Sequence, residues 1–173
     1  DTARSRGLGD VYKRQTGFDA MTGALTSIDI IGRGGAKLKD QWETGAKSYL
    51  GLGIANFPNL FTVTGPGSPS VLSNMMPSIE QHVNWITDCI DWMETNDKKV
   101  IESSKTAEDE WMVLVNEIAD MTIFTDTKSW YNGSNIDTKA KAFLPFIGVP
   151  VYAEMLEEVV TDDYKGFIFD RPN

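Results

Sequence analysis

The chain has 173 residues and a mass of 19.2 kDa, with 41% hydrophobic and 24% charged residues, which is enough for one ordinary globular domain. Its formal net charge of −9 argues against a nucleic-acid partner, because a phosphate-binding surface needs clustered Lys and Arg. Apolar runs fall far short of the roughly 20 residues that cross a bilayer, so we expect no membrane partner. A single cysteine, Cys89, and a single histidine, His82, exclude an internal disulfide and a zinc cluster, so we predict no metal site and a reducing, cytoplasmic location.

Residues 1–15 differ in composition from the rest of the chain and have neither helical nor strand periodicity. The run Asp10-Val11-Tyr12-Lys13-Arg14-Gln15 resembles the reading-frame translation of a transposon-end adaptor that is used in sequencing libraries. We therefore interpret residues 1–15 as a disordered adaptor artefact and leave them out of the fold prediction.

The first half of the chain contains two predicted strands. The alternation of Ile28-Asp29-Ile30 indicates a short strand, with Leu38 and Trp42 following at the spacing of a single helical turn. Residues 60–64 are apolar or β-branched on both faces, which is typical of a buried strand in a parallel sheet.

The clearest helix of the sequence follows Asn74 and ends at Asn96-Asp97. Its apolar residues recur at steps of three and four and predict one buried stripe, formed by Met76, Ile79, Val83, Ile86, Ile90 and Met93. The side chains of Trp85, Cys89 and Trp92 widen this stripe. Ser73 or Asn74 is placed to cap the first turn. His82 precedes a predicted core residue, so we expect it to pack or to form a hydrogen bond.

Two further helices and a strand are predicted in the second half. Thr106 with Asp109 three residues later indicates the start of a helix whose inner face carries Trp111, Leu114, Val115, Ile118 and Ala119. A shorter helix is expected at about 152–161, with an acidic, solvated outer face, and a final strand at 166–169. The succession of strand, glycine turn and helix N-terminus in residues 60–75 favours a ligand with negative charge.

Several segments, in their order and spacing, resemble the C-terminal third of Baeyer–Villiger monooxygenases of the phenylacetone and cyclohexanone monooxygenase type. The first three are Phe57-Pro58-Asn59-Leu60-Phe61, Gly65-Pro66-Gly67-Ser68-Pro69-Ser70-Val71-Leu72-Ser73-Asn74-Met75 and Ser78-Ile79-Glu80-Gln81-His82-Val83. The resemblance continues through Glu110-Trp111, Asn116-Glu117-Ile118-Ala119-Asp120, Ser129-Trp130-Tyr131-Asn132-Gly133-Ser134-Asn135 and Tyr164-Lys165-Gly166-Phe167, and covers essentially all of residues 16–169.

This resemblance implies an α/β fold that is incomplete on its own. Residues 16–97 would form the C-terminal part of a doubly wound FAD-binding domain, and residues 98–173 a mostly helical C-terminal region with a mobile Trp loop. The parent enzyme would use FAD and NADPH to insert one oxygen atom of O2 into a ketone, giving an ester or a lactone. The family's dinucleotide fingerprints and its catalytic arginine lie upstream in relatives, so we place no catalytic residue in this chain and predict that it is inactive alone.

The resemblance also assigns individual residues to ligands. Asn74 and Met75 would bind FAD, with the backbone N–H of Met75 facing the pyrimidine edge of the flavin. Trp130, in a mobile loop, would close on NADP. Ser70, Val71 and Leu72 match the loop of the substrate pocket.

Two alternatives remain open from the sequence. One is another class B flavin monooxygenase, which would oxidise nitrogen or sulfur centres instead of ketones. The other is a self-standing helical binding module that uses no cofactor.

Overall fold

A computed structural model of the chain describes residues 22–69, 73–123, 146 and 148–170. The predicted adaptor artefact, residues 1–15, lies outside the described residues, as do the predicted substrate residues Ser70, Val71 and Leu72 and the predicted NADP residue Trp130.

The described residues form five α-helices and two short strands. The helices are α1 (Gly23–Thr26), α2 (Leu38–Gln41), α3 (Met75–Thr95), α4 (Lys105–Asp120) and α5 (Val149–Thr161), and a 3₁₀ turn spans Arg33–Gly35. Strands β1 (Ile101–Ser103) and β2 (Phe167–Phe169) pair antiparallel, with Ile101 opposite Phe169. The described part of the chain is therefore mixed helix and strand, and it contains this one antiparallel sheet and no parallel sheet.

The strand predicted at residues 28–30 is wrong. These residues follow α1 as an irregular segment, in which Ile28 N–H bonds back to Leu25 and Ile28 is 57% exposed. The next residue, Ile31, forms only an isolated bridge with Lys37. The single helical turn predicted around Leu38 is confirmed by α2.

The buried parallel strand predicted at residues 60–64 is also wrong. Phe61 makes one isolated antiparallel bridge with Gly53, and Val63 is 43% exposed. Thr64 has a φ of 51°, which lies in the left-handed region and ends the extended conformation. The β-branched Thr62 stabilises the fold of this segment by a hydrogen bond instead of by strand pairing. It donates its hydroxyl hydrogen to the carbonyl of Gly51, at 2.8 Å.

The long helix is confirmed as α3, but the predicted buried stripe is confirmed only in part, at Met93. Met76, Val83 and Ile90 are 61%, 46% and 43% exposed. The buried side chains of α3 are Ser78, His82, Trp85, Cys89 and Met93, so the residues predicted to widen the stripe, Trp85 and Cys89, are also confirmed as buried. The helix is turned so that Trp85 meets the rings of Tyr164 and Phe167, which the apolar pattern of the helix alone does not encode.

Helix α4 begins earlier than predicted. Its cap is Ser104, whose Oγ accepts the N–H of Ala107 at 3.1 Å, and not Thr106. The predicted inner face is confirmed at Trp111, Val115 and Ala119, which are buried, whereas Leu114 and Ile118 are half-buried. Helix α5 buries Tyr152, Leu156 and Val159, and its acidic residues are exposed as predicted.

The larger core cluster lies between α3, α4, α5 and the two strands, and a third of its buried residues are aromatic: Trp85, Trp111, Phe146, Tyr152 and Tyr164, five of fifteen. Trp85 and Trp92 each pack on Tyr164, with ring centroids 5.2 and 5.1 Å apart. Trp111 stacks on Phe146 at 5.0 Å. A smaller cluster of buried residues, Leu38, Trp42, Ala46, Ile54 and Phe57, lies around α2. No helix in the described ranges has the length and apolar character that crossing a bilayer requires.

Candidate functional site

The glycine turn predicted from the sequence, residues 65–68, has all four of its carbonyl groups bonded within the chain. Gly65 accepts the Ser68 hydroxyl at 2.7 Å, and Pro66 accepts the Ser48 hydroxyl. Gly67 accepts the indole N–H of Trp111 at 3.2 Å, and Ser68 accepts the N–H of Phe146 at 3.1 Å. The turn is therefore held in one conformation by side chains and backbone from three other parts of the chain.

Glycine is required at two positions of this turn. A Cβ at Gly65 would lie 2.4 Å from Thr62 Oγ1, which is closer than real Cβ atoms approach. Gly67 has a φ of 81°, and a Cβ there would lie 3.1 Å from the Trp111 indole nitrogen. The two glycines are thus explained by close packing, of Gly65 against Thr62 and Gly51 and of Gly67 against α4.

The predicted FAD residues Asn74 and Met75 lie together where α3 begins. Asn74 Oδ1 accepts the N–H of Met76 at 3.1 Å, which confirms Asn74 as the helix cap. Pro77 has no N–H to donate, and the N–H of Met75, at the first helical position, has no acceptor within the helix. The first turn of a 21-residue helix therefore presents a backbone donor at the positive end of its dipole.

A buried polar atom lies in the same turn. Ser78 is 1% exposed, and its Oγ has no hydrogen-bond partner within the described ranges. Buried hydroxyl groups normally have a partner, so this one indicates that a polar group belongs against the start of α3.

Behind the turn, His82 forms a buried hydrogen-bonded chain. Its Nδ1 accepts the backbone N–H of Thr64 at 2.9 Å, and its Nε2 lies 2.6 Å from the hydroxyl oxygen of Tyr152. That hydroxyl donates its hydrogen to the carbonyl of Leu50, at 2.6 Å. His82 thus has the hydrogen-bonding role that the sequence predicted, whereas nothing in the sequence pointed to Tyr152 or Thr64 as its partners.

The network is neutral near pH 7. Burial lowers the pKa of His82 to about 4, and burial raises the pKa of the Tyr152 phenol. Because backbone N–H groups do not deprotonate, Nδ1 must carry the lone pair and Nε2 the proton. His82 Nε2–H therefore donates to the hydroxyl oxygen of Tyr152. The three hydrogen bonds run in one direction, from the N–H of Thr64 through His82 and Tyr152 to the carbonyl of Leu50.

A buried carboxylate on α4, that of Glu108, anchors the loop that contains Ala55. Glu108 accepts the N–H of Ala55 at 3.0 Å and lies 3.4 Å from the amine of Lys105. Burial raises the pKa of Glu108, against these favourable contacts. The described ranges contain no group of three His, Cys, Asp or Glu residues that is arranged to hold a metal ion.

The chain is similar in sequence to flavin monooxygenases over part of their length. It is 42% identical over 160 residues to a phenazine N-monooxygenase of Lysobacter antibioticus, covering 92% of this chain and 29% of that protein. It is 38% identical over 163 residues to a Baeyer–Villiger monooxygenase of Pseudooceanicola batsensis, covering 94% of this chain and 30% of that protein. No model of a protein family matches the chain.

Solved structures agree with these relatives. The closed crystal structure of cyclohexanone monooxygenase superposes with a TM-score of 0.85 at 41% identity, covering 91% of this chain and 30% of that one. The structure of OTEMO in complex with FAD and NADP superposes with a TM-score of 0.81 at 32% identity, covering 89% and 28%. The chain thus matches the C-terminal portion of these enzymes and spans about 30% of their length, which confirms the resemblance found in the sequence.

Proposed function

We propose that this chain is part of an FAD- and NADPH-dependent Baeyer–Villiger monooxygenase, which inserts one oxygen atom of O2 into a ketone to give an ester or a lactone. The observation that carries the proposal is the match, in sequence and in fold, to cyclohexanone monooxygenase over 91% of the chain. We place the enzyme in the cytoplasm, because the chain has a single, buried cysteine.

FAD would supply the oxygen chemistry, and this chain would hold one edge of its ring. Asn74 and Met75 form that edge in our proposal. The N–H of Met75 and the dipole of α3 suit the negative charge that a reduced flavin carries. The residues present therefore fit the flavin on their donor chemistry.

Three substrate residues and one NADP residue are proposed from sequence position. Ser70, Val71 and Leu72 lie in the sequence between the turn 65–68 and the start of α3, and we assign them to the substrate pocket. Trp130 lies between α4 and α5 in the chain, and we assign it to closure on NADP.

The outer face of α3 supports the view that the chain is incomplete on its own. Met76, Val83 and Ile90 are all more than 40% exposed and lie on one side of the helix. Exposed apolar stripes of this kind are usually covered by another part of a protein. We propose that the remainder of the flavoenzyme covers it, and that residues 16–97 form part of the doubly wound FAD-binding domain while residues 98–173 form the helical region.

A second function is favoured by one specific observation. The phenazine N-monooxygenase is 42% identical to this chain, and its name states oxidation at nitrogen. The same flavin site would then act on an aromatic nitrogen instead of a ketone, and the two functions would differ in the substrate pocket.

The experiment is an assay of the complete enzyme, read from its whole gene, with ketones, sulfides, amines and phenazine as substrates. We expect bound FAD and NADPH consumption coupled to ester or lactone formation. Product from phenazine and none from ketones would establish the second function. A complete protein that folds but binds no FAD would support the alternative of a helical binding module that uses no cofactor. The 173-residue chain alone should consume no NADPH.

The flavin edge is tested by Asn74→Asp in the complete enzyme. Aspartate still accepts the N–H of Met76, so the helix cap is kept, but a negative charge is added beside the proposed site. We expect the reduction potential of bound FAD to fall, because reduced flavin is anionic. Ser104→Asp is the matched control, since it makes a comparable change at the cap of α4. An equal potential in both variants would remove Asn74 and Met75 from the flavin site.

A further inference from the structure

Thr64 has a backbone conformation that its side chain disfavours. Its φ of 51° lies in the left-handed region, which β-branched residues rarely adopt and which persists only where the surroundings hold it. Thr64 is also the residue that leads into the turn 65–68. Gly65 N–H bonds to the carbonyl of Gly51 at 3.1 Å, so a change at Thr64 would act directly on an anchored turn.

His82 provides the contact that holds Thr64. The bond from Thr64 N–H to His82 Nδ1 is 2.9 Å, and His82 is completely buried, so water does not replace it. The imidazole ring is fixed in turn by Tyr152, which accepts from Nε2 and donates to the carbonyl of Leu50. The acceptor nitrogen of His82 is occupied by a backbone N–H, which leaves it no lone pair to take a proton from a substrate.

We propose that His82 and Tyr152 are positioning residues for the flavin: they fix the backbone of Thr64 and thereby the position of the turn 65–68 against α3. Helix α3 carries His82, and α5 carries Tyr152, so the pair couples both helices to the turn. The inference rests on the proposed function, because it is the flavin that would report the position of the turn.

Two substitutions in the complete flavoenzyme test the roles of the two ring nitrogens of His82 separately. Asparagine places an amide oxygen near the position of Nδ1, so His82→Asn keeps an acceptor for Thr64 but no longer reaches Tyr152. Glutamine places its terminal amide near the position of Nε2, so His82→Gln reaches Tyr152 but gives up the bond to Thr64. The measurements are the FAD dissociation constant and the visible absorption bands of bound flavin, with the thermal midpoint as the control for folding.

We expect His82→Asn, which keeps the bond to Thr64 but loses its anchor at Tyr152, to bind FAD about threefold more weakly than the wild type, and His82→Gln to bind it about tenfold more weakly with shifted flavin bands. Equal effects of the two substitutions at equal thermal midpoints would overturn the proposal. Should His82→Gln not fold, Tyr152→Phe decides, because it removes one oxygen atom and releases the ring of His82. A folded Tyr152→Phe with unchanged FAD affinity and spectrum would also overturn it.

The wild-type enzyme separates this inference from the proposed function. If the complete wild type binds no FAD, the proposed function fails and the variants are not needed. If it binds FAD and the variants behave alike, only the positioning role fails.

Discussion

The two longest helices, α3 and α4, differ in which residues they bury and which they expose. Helix α4 buries apolar residues and Glu108 on its inner face and exposes polar residues on its outer face, with Val113 as an exposed apolar exception at 57%. Helix α3 buries polar Ser78 and His82 together with its aromatic residues, and it exposes Met76 and Val83. The burial of α4 is thus completed within this chain, whereas α3 has a second apolar face that the described residues do not cover.

Helices α3 and α4 are also expected to differ in how they contribute to stability and to function. The inner face of α4 fixes the glycine turn through Trp111 and the loop at Ala55 through Glu108. The inner face of α3 fixes the residue before that turn through His82. Substitutions on α4 should therefore act mainly on folding, and those on α3 on folding and on the proposed flavin site.

The largest effect is expected for Trp111→Ala on α4. Trp111 is buried, stacks on Phe146 and donates to Gly67, so its removal leaves a cavity and an unpaired carbonyl. We expect the free energy of unfolding of the chain to fall by about 3–5 kcal/mol, measured in urea. Glu110→Ala, at an exposed neighbour, is the control and should stay within about 0.5 kcal/mol of the wild type. A Trp111→Ala loss below that of the control would contradict the assignment of Trp111 to the core.

A smaller effect is expected for pH, through His82 on α3. Its folded pKa of about 4 lies below the unfolded value of 6.5. As pH falls through this window, the unfolded chain binds a proton that the folded chain does not, so stability is lost. We expect the free energy of unfolding to fall by about 3 kcal/mol between pH 7 and pH 4 through this residue.

The control for the pH effect is His82→Asn, which does not titrate in this range. Burial raises the pKa of Glu108, which acts in the opposite direction, but it is present in both proteins and cancels in the difference. Identical pH profiles for the wild type and the variant would mean that His82 is not the group responsible.

The smallest effect on folding is expected for Val83→Glu on the outer face of α3. The substituted side chain is 46% exposed, so the free energy of unfolding should stay within about 0.5 kcal/mol of the wild type. Binding of a hydrophobic dye, and self-association of the isolated chain, should decrease, because the charge interrupts the apolar stripe. Val113→Glu on α4 is the matched substitution and should change both less, since its apolar side chain stands among polar neighbours. Equal changes in the two variants would remove the distinction between the helices.

Periodicity predicted the existence of α3, α4 and α5 but not the orientation of α3. The stripe through Val83 and the face through His82 are both compatible with the sequence, because both recur at steps of three and four residues. The orientation of α3 is determined by Tyr152, Tyr164 and Phe167, which are distant in sequence. Tyr152 forms the hydrogen bond with His82, and Tyr164 and Phe167 form the ring contacts with Trp85. The prediction of a buried strand at 60–64 failed for a similar reason, since Gly51 and His82 bond to Thr62 and Thr64 from outside the segment.

By itself, the sequence determined the family resemblance, the helix that follows Asn74 and the position of the Gly-Pro-Gly turn, because these depend on residues that are neighbours in the chain. The tertiary structure alone decided that His82 holds Thr64, that Tyr152 orients His82, and that Met76, Val83 and Ile90 of the apolar stripe face outward. The reason is physical: hydrogen bonds and ring contacts between segments up to 82 residues apart, as for Trp85 and Phe167, determine which face of a helix is buried, and a local pattern does not contain them.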